Sequence, residues 1–238
     1  MLKAENNLII KAHFMSTDIT TPKKNTGENN DQIISYVILR VLIGAAGIAL
    51  PFLLMIGKLI ANSSTQIEFS VSDYYDNGTA GDILVGILFV LGLFLIAYKG
   101  YERIDSIAAN FGGTFALGVA LFPTTSSNHT IHIMHFVFAL LLFSTFIFFS
   151  IYLFRKTDLN KKTTQQKDNR NRIYLICGIV MIVCVAAIAV GMLWLTELSA
   201  TYHLVFWFES IALIAFGFSW VTKAEVLFLK DEEKKVDE

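Results

Sequence analysis

Charge is what this sequence has least of. Only 16% of its residues are Asp, Glu, Lys or Arg, where a soluble domain carries about 25%. The formal net charge is −1, so no basic excess exists to hold a polyanion, which argues against nucleic acid as a partner. Cysteine is nearly absent. Cys177 and Cys184 stand two helical turns apart in one apolar segment, too far for a bridge between them, and they read as small packing residues. A cleavable signal peptide is not expected either. The first 32 residues are polar, and the short apolar run at 8–10 is too brief for a signal core.

What the chain has instead is length without charge. Apolar residues make up 54% of it, and six stretches approach or exceed the length needed to cross a membrane: 33–61, 81–99, 105–122, 131–154, 173–196 and 203–228. About 20 apolar residues in a helix cover the roughly 30 Å of a hydrocarbon core. Helices are expected because, in lipid, every backbone polar group must be satisfied within its own segment. The alternating ten-residue strands of a membrane barrel are not seen. The expected fold is therefore an all-α polytopic membrane protein, a six-transmembrane-helix bundle over 33–228, with a polar N-terminal tail (1–32) and a charged C-terminal tail (229–238). The third span is short and carries Gly112, Gly113 and Gly118, which predicts close helix packing at the centre of the bundle. Pro51 predicts a kink in the first.

Lys and Arg fix the expected orientation. They crowd one set of connections, comprising both tails, the turn around KGYER and the stretch from Arg155 to Arg172. The other set, 62–80, 123–130 and 197–202, has none. Positive residues stay in the cytoplasm, so both termini should be cytoplasmic.

The same sorting places four of the five histidines at the outer face: His129, His132, His135 and His203. Asp73, Asp76, Asp82, Glu197 and Glu209 join them there. His132 and His135 are three residues apart and share a helix face. Glu209 lies six residues beyond His203, about 9 Å deeper by helical rise, and an acid at that depth faces the bundle interior with a partner. Two readings are open. In one, Asp73, Asp82, His132, His135 and Glu209 bind a divalent metal such as zinc, or His135 and Glu209 act as an acid–base pair. Imidazole and carboxylate suit such an ion, and a bound water could attack an ester or amide. In the other, Asp82 is a helix N-cap and Glu209 with His135 is a buried pair that fixes helix packing.

The stretch FSVSDYYDNG, residues 69–78, is either an ordinary turn punctuated by Asp76, Asn77 and Gly78 or a loop that folds over the bundle mouth and delivers Asp73. Asn62, Asn77 and Asn128 begin Asn-x-Ser/Thr sequons, which matter only in a glycosylating host.

The order of these motifs carries a resemblance. SDYYDNG before the second span, ALFPTTSSNHTIHIMHF between the third and fourth, and WFES in the sixth together resemble a bacterial six-helix membrane family of unknown function. The pattern is also similar to the DRAM/Sfk group. Carried onto this chain, the family pattern falls on Ser72, Asp73, Phe122, Pro123, Thr124, His135 and Glu209. One position departs: the acid that follows Phe-Pro-Thr in the family is Thr125 here. The resemblance implies the six-helix topology and a place in a bacterial inner (plasma) membrane, and names no reaction.

Three function classes follow for an outward-facing polar pocket. The first is a metal-assisted hydrolase acting on membrane lipids. The second is a lipid-binding or scaffold protein without catalysis. The third is a transporter, which is weakened because no inverted repeat is visible. Membrane lipids are the expected partners in the first two.

Overall fold

The computed structural model describes residues 26–100, 102–156 and 164–225, with side chains from Tyr36 onward. The expected C-terminal tail and most of the expected N-terminal tail, with His13, lie outside the described residues. The chain divides into two units, Met1–Ser35 and Tyr36–Glu238, and the six candidate membrane spans all lie in the second.

Among the described residues there are seven α-helices and no strand. They are α1 (Thr26–Asn62), α2 (Thr79–Ala97), α3 (Arg103–Leu121), α4 (His129–Phe148), α5 (Gln165–Leu193), the short α6 (Thr196–Tyr202) and α7 (Leu204–Lys223). A π-helical turn, Phe149–Leu153, extends α4, and a 3-10 turn, Ser72–Asp76, precedes α2. All except α6 are long and apolar enough to cross a membrane. This is the all-α, six-span architecture of a multi-pass membrane protein.

Local sequence explains the helix starts. Asn128 caps α4 by accepting the Thr130 N–H at 3.0 Å, which satisfies one of the orphan amides of a first turn. Glu102 and Asp105 form a reciprocal capping box at α3. Asp82 is not a cap, because α2 begins at Thr79; it stands exposed in the first turn, where a carboxylate suits the positive end of the helix dipole. Pro51 is buried inside α1, which is helical through it.

Packing relies on close backbone approach. A Cβ on Gly44 of α1 would stand 2.6 Å from the Gly217 carbonyl oxygen of α7, and one on Gly92 of α2 would stand 3.0 Å from the Gly113 carbonyl oxygen of α3. Only glycine permits such contact, and it replaces the hydrophobic force that helices lack in lipid. The α3 span is 50% buried, but α7, at 56%, is the most enclosed. It packs along α5 and against Gly44 and Gly47 of α1. His203 turns the chain from α6 into α7 in a left-handed conformation, φ 51°, which histidine adopts more readily than bulky residues. The loops 63–71, 122–128 and 194–195 gather at one end of this bundle, called here the loop end.

Candidate functional site

The loop after α1 folds back onto the bundle, held on several sides. The Phe206 N–H at the start of α7 donates to the Phe69 carbonyl at 3.0 Å. One turn deeper, the Glu209 carboxyl accepts the Val71 N–H at 2.6 Å. Lys58 of α1 forms an ion pair with Glu68. Tyr74 is fully buried, its ring 5.8 Å from that of Phe206 and 5.7 Å from the Lys58 ammonium. Burial pushes the Tyr74 phenol above its ordinary value of 10.0, because desolvation disfavours the phenolate. Ser70 Oγ accepts the Asp73 N–H at 3.1 Å and so starts the 3-10 turn.

This fastening sets Ser72 against α4. Its Oγ lies 2.9 Å from Nε2 of His135, and Nδ1 of the same ring lies 2.6 Å from the Phe122 carbonyl oxygen. A carbonyl oxygen only accepts, so Nδ1 carries a hydrogen; in the neutral ring Nε2 is then a bare lone pair to which the Ser72 hydroxyl can donate. A hydroxyl, an imidazole and a group that orients the imidazole are in register, the arrangement that nucleophilic catalysis uses, with a backbone carbonyl where a carboxylate often stands. Thr124 Oγ1 reaches the Ser72 carbonyl at 3.4 Å and Asp73 Oδ1 at 3.3 Å, tying the α3–α4 loop to the same turn.

These groups form the polar end of a cavity of about 460 Å³ bounded by α4, α5, α7 and the loop. The volume lies within the roughly 300–1,000 Å³ of small-ligand sites. Ser72, Asp73, Thr124, His132, His135 and Glu209 face it, and the remaining wall is apolar apart from Ser70.

Of the five residues singled out in the sequence, Asp73, His132, His135 and Glu209 meet at this cavity, and Asp82 is not in its wall. Glu209 and His135 share the cavity through different partners: Glu209 takes Val71, and His135 takes Ser72 and Phe122. His132 stacks edge-on against Phe136 at 4.9 Å. His129 is exposed at the start of α4. Among the described residues, no three of His, Cys, Asp and Glu stand close enough to hold a metal ion together. Both ring nitrogens of His135 are already engaged, so ligation through it requires displacing Ser72 or Phe122. Sequence reasoning passed over Ser72 as a nucleophile. Its signal was its place beside Asp73 in a loop between two spans, but its partner across the bundle has no trace in local sequence.

Comparison with models of protein families, with curated proteins and with solved structures finds no match to this chain.

Proposed function

We propose that this membrane protein hydrolyses an acyl bond of a membrane lipid, with Ser72 as nucleophile and His135 as general base. The observation that carries the reading is the 2.9 Å contact between Ser72 Oγ and Nε2 of His135, at the polar end of an otherwise apolar cavity. Ser72 Oγ attacks the carbonyl carbon of an ester or amide and its proton passes to Nε2. The tetrahedral adduct collapses as the His135 imidazolium returns that proton to the departing alcohol or amine. Water, activated by the same nitrogen, then cleaves the acyl-serine and restores the hydroxyl. Phe122 keeps the Nδ1 hydrogen throughout, and Glu209 holds the loop, and with it Ser72, in place through Val71. The positions on which the family pattern falls, Ser72, Asp73, Thr124, His135 and Glu209, all face this cavity, though that pattern names no reaction.

The test is labelling of purified protein by a fluorophosphonate, which reacts with activated serines. Wild type should label and hydrolyse lipid esters; Ser72→Ala and His135→Ala should do neither, losing about 10²–10⁴-fold in rate. Equal labelling and turnover in Ser72→Ala would sink the proposal.

Metal-assisted hydrolysis is the second reading: Asp73, His132, His135 and Glu209 face one cavity, and an ion would have to draw three of them together from where they stand. One zinc ion per chain, lost in both His135→Ala and Glu209→Ala, together with chelator-sensitive turnover, would put it first. A lipid that copurifies intact with a protein that turns over no ester would instead indicate a binding protein. We further propose that the loop end faces outward and both termini are cytoplasmic, from the Lys/Arg-free loops at that end. A reporter that is active only outside the cytoplasm, fused to the C-terminus, should stay silent; activity there reverses the orientation.

A further inference from the structure

We infer that the substrate is drawn sideways from the membrane leaflet at the loop end, and that its acyl chain lies in a groove between α4 and α5 closed at its far end by Phe143. The chemistry at Ser72 rests on the proposed hydrolase activity; the groove does not.

Three observations carry the inference. The first is direction. On α4 the cavity wall runs from His132 to Phe143, about 16 Å by helical rise. That is close to half of the roughly 30 Å hydrocarbon core, the depth of one leaflet. The second is access. Phe136 and Leu140 line the cavity and are also 38% and 57% exposed, and Ala189 of α5 is exposed as well. The cavity therefore breaks the side of the bundle within two membrane spans, where the neighbouring matter is lipid chain. The third is the stop. Phe143 is the lining residue of α4 farthest from the dyad. Its ring packs edge-on against Phe146 at 6.0 Å, and Phe146 is fully buried and stacked on Phe216 at 3.6 Å. A ring braced in this way does not yield to a longer chain. No Lys or Arg lines the cavity, while Asp73 and Glu209 do, so its wall offers no fixed positive charge to an anionic headgroup, and the fitting occupant is an acyl lipid whose headgroup is not anionic.

The experiment uses saturated monoacylglycerols of increasing chain length, retained on the full chain in native mass spectrometry. Ser72→Ala serves as the background, so turnover does not interfere. Retention against the competing detergent should rise with chain length as each added methylene packs in the groove, then level off where the chain meets Phe143. Phe143→Ala should move that plateau to longer chains and Phe143→Leu should move it less. Leu140→Trp, at the mouth, should weaken retention at every length. A plateau that neither Phe143 variant moves overturns the groove. Turnover of the same series by the otherwise wild-type chain separates the two proposals. A movable plateau without turnover supports the groove and counts against the Ser72 chemistry. Turnover lost in Ser72→Ala beside an immovable plateau supports that chemistry and overturns the groove.

Discussion

The two ends of the bundle handle buried polarity in opposite ways. At the end away from the loops, the buried cations have partners, although the Trp220 indole N–H has no hydrogen-bond acceptor among the described residues. Arg170 is 2% exposed and pairs with Glu225 at 3.4 Å. Arg40 donates to the Lys223 carbonyl at 3.3 Å and lies 5.7 Å over the Tyr98 ring. Lys156 bridges Glu102 at 2.7 Å and Asp105 at 3.7 Å. Trp220 sits among them, fully buried, with the rings of Tyr98, Phe154 and Phe149 at 5.0, 5.1 and 5.2 Å. At the loop end, Asp73, His132, His135 and Glu209 face a cavity instead. A buried charge is stable when paired and hydrogen-bonded. Polar groups turned toward an open space can meet a ligand there, and departures from close packing concentrate where function needs them. Under the proposed function, one end is structural and the other chemical.

That division is open to test. The largest effect expected from the loop end is the loss of turnover in Ser72→Ala or His135→Ala, with the thermal midpoint of Ser72→Ala in detergent close to wild type. Trp220→Ala should do the reverse. Truncating so large a buried ring costs about 3–5 kcal/mol, lowering the midpoint while the protein that remains folded keeps its turnover per molecule. If Trp220→Ala spares stability, or removes turnover from folded protein, the division fails.

Glu209 lies between the two behaviours, because it holds Val71 and also faces the cavity. Glu209→Ala leaves the Val71 amide without its acceptor, at a cost of about 1–3 kcal/mol, and displaces Ser72, so turnover falls as well. Glu209→Gln keeps an acceptor oxygen and should recover most of both. Equal damage from the two substitutions would mean that the charge, and not the hydrogen bond, is what matters there.

The smallest effect concerns pH. The fold raises the Tyr74 pKa, so the folded state holds that proton more tightly than the unfolded chain. Its contribution is constant below the ordinary phenol value near 10.0 and is lost as pH rises through the higher folded-state value. The thermal midpoint of wild type should decline in that alkaline window more steeply than that of Tyr74→Phe. Parallel curves would show that Tyr74 does not carry the dependence.

The spans are legible in the sequence, because the length of an apolar run is set by the thickness of hydrocarbon and needs no partner. Much of the site is legible too. The distribution of Lys and Arg puts Asp73, His132, His135 and Glu209 at one end, and depth along α7 turns Glu209 inward. Other features are not readable there. Asp82 has the right chemistry and the right end of the bundle, but α2 begins at Thr79 and leaves it exposed. Ser72 is one of several serines near that end, and it gains a role only because Glu209 and Phe206 fasten its loop beside α4. The group that orients His135 is the backbone oxygen of Phe122, and a carbonyl has no signature in sequence.

The sequence by itself determined that this chain has six helices fit to cross a membrane and gathers four of its five histidines and several acids at one end, since burial of apolar length and the sorting of charge act on each segment separately. Tertiary structure alone decided which of those groups meet, that Phe122 and Ser72 take the two ring nitrogens of His135, and that a cavity bounded by α4, α5 and α7 lies beside them. Those outcomes depend on distances of about 3 Å between residues far apart in the chain, and only packed helices and a fastened loop can set them.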